Sequence, residues 1–207
     1  MNLGLYLERS ARFWPERPAV LFRDRALSYR ELDQRSNRLA NALRALGLKR
    51  GDRVAIVSPN RPEIVESECA LYKLGLVKVA LNSRLAPAEL TDAFANAEPI
   101  ACIAGPEHWQ MVDDAARDLP NAMQRIALDG SRGAPRGWAD YEGLLAQSAD
   151  TIEREVMQPA DLATPGARKV PLLLEEDHDQ LPVQREGEVD RVTDEGDELG
   201  VGVIGLG

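Results

Sequence analysis

The chain has 207 residues, 44% of them hydrophobic and 29% charged, which is enough for one domain with a real core or a domain plus a tail. Its net charge of −9 argues against nonspecific nucleic-acid binding, because a phosphate-facing surface needs an excess of Lys and Arg. The charge is uneven: residues 165–207 hold 4 basic and 11 acidic side chains (net −7) and no Phe, Trp or Tyr, leaving −2 for residues 1–164.

In chain order, Leu3, Leu7, Ala11 and Trp14 recur at helical spacing, and Pro15 and Pro18 end that helix. Two short strand-like runs follow, Ala19 to Phe22 and Ala26 to Tyr29, with Arg23-Asp24-Arg25 as a polar turn. Ser28 with Glu31 fits a capping box opening a long helix. Its apolar stripe is Leu32, Leu39, Leu43 and Leu46, with Arg30, Gln34, Arg38 and Arg44 on the wet side. Gly47 is placed to stop it in a left-handed conformation. Gly51-Asp52 turns into Arg53 to Val57, a run compatible with a buried parallel strand. Pro62 suits the first turn of a helix running to Gly75. Leu76 to Leu81 is the next strand, and Pro87 opens a helix with Leu90 and Phe94 on one face. Ile100 to Ala104 is a strand, Glu107 to Leu119 a helix, Gln124 to Leu128 a strand and Trp138 to Gln147 a last helix. This alternation implies an α/β fold, a partial doubly wound parallel sheet with helices on both faces. After Thr164 no clear period remains, and the expectation is a poorly ordered acidic tail.

The N-terminus has no basic stretch before an apolar run, and Glu8 and Arg9 interrupt any leader-like segment. No run approaches the ~20 apolar residues of a membrane span. Cys69 and Cys102 stand alone in apolar segments and read as small buried hydrophobes in a reducing compartment. The expectation is a soluble cytoplasmic body.

Four segments then point in one direction. Leu27-Ser28-Tyr29-Arg30-Glu31-Leu32 leads through Asn37, Gly47 and Gly51-Asp52 to Arg53-Val54-Ala55-Ile56. Ser58-Pro59-Asn60-Arg61-Pro62-Glu63 follows, then Leu81-Asn82-Ser83-Arg84-Leu85 with Glu89 and Leu90, then Gln158-Pro159-Ala160-Asp161-Leu162-Ala163. In this order and spacing they resemble the N-terminal part of the adenylate-forming (AMP-binding) acyl-CoA synthetases. The resemblance covers residues 1–163 and sets 164–207 apart as an acidic tail foreign to the family.

It implies a ligase of fatty-acid and related acyl metabolism. In that reaction a carboxylate attacks the ATP α-phosphate to give acyl-adenylate and pyrophosphate, and the CoA thiol then displaces AMP. ATP, Mg²⁺ and CoA are the cofactors implied, and a carboxylic acid the substrate class. The family cradles phosphates with a Ser/Thr/Gly-rich loop ending in Lys, so that backbone N–H groups meet the anion. Here Ala163 is followed by Thr164-Pro165-Gly166-Ala167-Arg168-Lys169-Val170-Pro171, which is not such a loop. The expectation is therefore a truncated fragment, inactive alone; the alternative is a non-catalytic interaction module that self-associates or pairs with a full-length synthetase.

No catalytic or metal-ligating residue is assigned. The resemblance implies that Arg84 contacts CoA phosphates, whereas the residue by itself reads as an ordinary surface loop arginine. Asn60 sits at a strand end, where α/β sheets bind ligands, but reads more simply as a helix cap. His108 has no Ser or Cys partner that would make a triad. Trp14, Phe94 and Trp138 read as core or subdomain-packing residues. Gly200 to Gly205 spells G-x-G-x-x-G without the strand and helix a dinucleotide site requires, and Glu175 to Asp179 reads as a solvated acidic run.

Overall fold

The computed structural model describes residues 4–117, 119, 122–153 and 202–203. The proposed tail, the acidic run at 175–179 and the segments 158–163 and 164–171 lie outside the described residues, apart from Gly202 and Val203.

The chain opens with α1 (Gly4–Phe13), followed by β1 (Pro18–Phe22) and β2 (Arg25–Ser28). These two strands pair antiparallel and stand apart from the main sheet. A two-residue strand, Gly202–Val203, pairs antiparallel with the free edge of β1, so these residues of the glycine-rich motif sit in a sheet edge. The long helix α2 (Tyr29–Ala45) starts as its sequence requires: the Ser28 hydroxyl accepts from the Glu31 amide, and the Glu31 carboxylate accepts from the Ser28 amide at 2.8 Å. It ends with Gly47 at φ 91°, and the Gly47 and Leu48 amides bond back to Arg44 O and Leu43 O.

The main body is β3 (Arg53–Val57), α3 (Pro62–Leu74), β4 (Val77–Ala80), α4 (Pro87–Ala97), β5 (Ala101–Ala104), α5 (Trp109–Ala115), β6 (Gln124–Ala127), β7 (Ala139–Asp140) and α6 (Tyr141–Ala146). The five strands form one parallel sheet in the order β4-β3-β5-β6-β7, with Val54 against Ala101 and Arg53 against Val77. Two sequence expectations change here. The segment from Trp138 is not helical throughout: Ala139 and Asp140 add an edge strand, and Asp140 then caps α6 by accepting from the Gly143 amide at 2.8 Å. The helix expected over 107–119 begins as a 3-10 turn at Pro106–His108 and its α-helical part ends at Ala115.

Strand alternation distributes the core to both faces. Val54, Ile56, Ala101 and Ile103 pack with Leu39, Leu43, Leu71 and Leu145 from α2, α3 and α6. Ala55, Val57, Cys102 and Ala104 point the other way, to Leu90 and Phe94 of α4 and to Trp109 and Val112. Full burial of each of the larger side chains stabilises the fold by about 1.5–3 kcal/mol. Trp138 is buried, but Trp14 is 42% exposed, so core packing does not account for it.

Polar groups cross the helical layer as well. The fully buried Glu66 of α3 accepts from Arg35 Nε at 2.7 Å and from the Tyr141 hydroxyl at 2.8 Å, tying α2, α3 and α6 together. Burial raises the Glu66 pKa, with Arg35 and Tyr141 pulling against it. Lys73, also buried, donates to Asp33, Ser36 and Asn37 of α2. The outer face of α2 is less wet than its sequence suggests: Arg38, Asn41 and Arg44 donate to backbone carbonyls of residues 148–153. Replacing Tyr141 by Phe would leave one Glu66 oxygen without its buried donor, a cost of about 1–3 kcal/mol in urea unfolding.

Candidate functional site

All five main strands are parallel, so their C-terminal ends share one edge. The chain leaves β3 for β4 on one side and later returns to β5 on the other, so the strand order reverses at the β3/β5 boundary. Ligands of open α/β sheets bind at that reversal, outside the C-terminal strand ends. A cleft of about 420 Å³ lies there, lined by Ser58 to Glu63 after β3, Glu107 after β5, Asp129 after β6 and the β1–β2 turn at Arg23 to Arg25. A second cleft of about 490 Å³ lies between α1, α2 and residues 150–152, and none of its lining residues comes from a strand end.

The first cleft is rich in charge, but its charges are spent on each other. Arg61 donates through Nε to Glu63 at 2.9 Å and through Nη2 to Asp129 at 3.0 Å; Arg25 reaches the other Glu63 oxygen at 3.4 Å. Burial pushes the Glu63 pKa up, but the Arg61 hydrogen bond and the charges of Arg61 and Arg25 outweigh it, so the carboxyl ends below its usual range. The Arg61 guanidinium is held charged by the same partners against its own burial. This cluster locks the start of α3 to the loop after β6. Asn60 is not the cap expected of it: the N-cap of α3 is Arg61, with no side-chain cap bond, and Asn60 lines the cleft. No spacing in the sequence pairs residue 61 with residue 129, so the cluster was not visible there.

Arg84 lies in the loop between β4 and α4, on the same edge but outside that cleft. The loop is turned by Asn82, whose side-chain oxygen accepts from the Arg84 amide at 2.9 Å and whose carbonyl accepts from the Leu85 amide. Arg84 is exposed, and among the described residues its guanidinium meets no carboxylate. The cleft's Arg61 and Arg25 already face carboxylates, whereas Arg84 is open to an incoming anion. His108 faces the Ser83 backbone carbonyl at 2.7 Å and makes no triad with the Ser83 hydroxyl. Cys69 is pushed up to about 12 by burial, and burial raises Cys102 as well, so neither thiol is an accessible thiolate nucleophile near neutral pH. Among the described residues no group of three His, Cys, Asp or Glu could hold a metal ion, and no helix is long and apolar enough to cross a membrane.

Fold and edge together define an open α/β domain of the doubly wound kind, with its ligand-facing loops at the β3/β5 reversal. More specifically, the chain belongs to the family of AMP-binding enzymes, whose model matches residues 7–165. It is 37% identical to a feruloyl-CoA synthase from an Amycolatopsis species, a match covering 66% of this chain and 32% of the relative. It is 34% identical to an indoleacetate–CoA ligase from Aromatoleum aromaticum, over 75% of this chain and 30% of that protein. The fold is shared with the crystal structure of an anthranilate CoA ligase in complex with anthranoyl-AMP, at TM-score 0.75 and 22% identity, covering 79% of this chain and 31% of that one. The chain thus spans about a third of the length of the relatives it matches, and it corresponds to their N-terminal part.

The depressed Glu63 pKa gives a signed pH dependence. Its contribution is fully present above the unfolded-state carboxylate pKa of about 4.3 and is lost as pH falls through the lower folded-state value. Glu63→Gln should therefore cost about 1–3 kcal/mol at pH 7. Denaturant titrations should show that deficit shrinking as the pH is lowered toward 3.

Proposed function

We propose that this chain is the N-terminal portion of an acid–CoA ligase that makes acyl-CoA from a carboxylic acid, ATP and CoA, with release of AMP and pyrophosphate. The family match across residues 7–165 is the observation that carries this reading. Feruloyl, indoleacetate and hydroxybenzoate among the relatives' names favour an acid as the substrate, aromatic or otherwise. Within this reading Arg84 takes a phosphate of CoA. Its exposure, a guanidinium that meets no carboxylate among the described residues and its place on the ligand-facing edge all suit that role.

The 207 residues by themselves do not form the adenylate. The residues after Ala163 offer no Ser/Thr/Gly-rich, Lys-ending loop for the ATP phosphates. Cytoplasmic location goes with the same reading.

A second reading, in which the chain acts by association, is favoured by one observation. Leu5, Tyr6, Phe13 and Trp14 of the α1 region and Leu21 of β1 are all more than 40% exposed. The partner would be a second copy or a full-length synthetase.

An ATP–pyrophosphate exchange assay with a panel of carboxylates checks the first statement, with no exchange expected from the 207-residue chain; robust exchange would overturn it. For Arg84, CoA titrated into the same chain should bind about tenfold more weakly to Arg84→Ala than to the wild type. Sedimentation of the chain alone and with a synthetase tests association, and a strictly monomeric, non-pairing species would remove the second reading.

A further inference from the structure

We propose that His108 is a positioning residue for Arg84, acting through the backbone of the β4–α4 loop. The inference deepens the reading of Arg84 as a phosphate contact and rests on it.

His108 is buried, 6% exposed, and closes the 3-10 turn that follows β5. That turn is fixed to the sheet at its first residue, where the Gly105 amide donates to Val57 O at 3.1 Å, and the His108 amide closes it on Gly105 O at 2.9 Å. From this anchored position His108 Nε2 reaches Ser83 O at 2.7 Å.

A backbone carbonyl only accepts, so Nε2 must carry the proton. Nδ1 is buried and makes no hydrogen bond, lying 3.4 Å from a Glu107 oxygen. The ring is therefore committed to one task, donating to the carbonyl immediately before Arg84. Among the described residues the loop's other bonds are the Asn82 turn, which shapes it internally, and, at its far end, the Ala86 amide on the Glu89 carboxylate at 2.7 Å, which ties it to α4; neither attaches it to the sheet. His108 supplies the attachment, linking the end of β5 to the peptide that carries Arg84. An arginine on a fixed loop loses less freedom on meeting a phosphate than one on a wandering loop, so the tether contributes to affinity without touching the ligand.

Two measurements on the 207-residue chain test this. In the wild type, ¹⁵N NMR of the neutral His108 ring should show the Nε2–H tautomer; an Nδ1–H tautomer would overturn the proposal without any variant having to fold. His108→Phe keeps bulk and removes the donor. Amide exchange over residues 83–86 should then rise about tenfold, and CoA should bind several-fold more weakly, by up to about tenfold. His108→Gln, which restores an N–H donor, should recover part of both. In the double variant with Arg84→Ala, the His108→Phe loss of CoA affinity should disappear. Unchanged exchange in His108→Phe sinks the tether. Freed amides with unchanged CoA affinity, in a chain where Arg84→Ala does weaken binding, sink the positioning role alone. If Arg84→Ala leaves CoA affinity unchanged, the phosphate reading of Arg84 fails, and the positioning role falls with it, whatever the exchange data show.

Discussion

The parallel pairing of β3 with both β4 and β5 is the constraint on which the rest depends. Parallel neighbours cannot be joined by a tight turn, so each pairing forces a crossover, and here each crossover carries a helix. Helices on both sides bury both faces, which is why Arg53 to Val57 ends in four consecutive buried residues where a solvent-facing strand would alternate. The same pairing brings every strand's C-terminal end to one edge. Ser58 to Glu63, Asn82 to Leu85, Glu107 and Asp129 are distant in sequence and become neighbours on that edge only because the strands before them run in one direction.

Charge is used in two different ways across this frame. In the helical layer, Glu66 is satisfied by Arg35 and Tyr141, and Lys73 by Asp33, Ser36 and Asn37, inside the protein, where an unpaired partner would cost several kcal/mol. At the cleft, Arg61, Arg25, Glu63 and Asp129 do the same thing closer to solvent, so a region dense in arginine has little net attraction for an anion. Arg84 differs from Arg25 and Arg61 in meeting no carboxylate among the described residues. Counting arginines alone would mark the cleft as an anion site; pairing geometry shows that Arg25 and Arg61 are already engaged there.

Much of the fold was legible because local signals and burial agreed. The Ser28–Glu31 box, Gly47 and Gly75 at left-handed positions and Pro62 and Pro87 at helix starts all act through their own backbone neighbourhoods. Ala139 and Asp140 were misread because two strand residues carry no period of their own; their pairing with Ile126 and Ala127 decides their state. Asn60 was misread because a capping-type residue one position early looks the same in sequence as the cap itself. Arg84 could be singled out from its motif, but His108 could not. Its partner is a backbone carbonyl 25 residues away, and a carbonyl has no residue type to recognise.

Leu5, Tyr6, Phe13, Trp14 and Leu21 are the exposed large apolar side chains of the α1 region and β1. Single exposed apolar residues are ordinary on protein surfaces, and only a continuous row bears on association. Among these five, two rings are partly covered by neighbouring arginines: Arg9 lies 5.9 Å from the Phe13 ring centre and Arg17 5.9 Å from that of Trp14. Each such stack contributes about 0.5–1 kcal/mol at an exposed site and would have to be remade or lost when a partner's apolar surface arrived. The face is thus less adhesive than its side chains alone imply, and a partner bearing carboxylates, able to meet the displaced guanidinium groups, fits it better than a purely apolar one. A second copy of this net-acidic chain has carboxylates to offer, so self-association and pairing with a synthetase both predict a contact that weakens with salt, unlike one held by apolar burial alone.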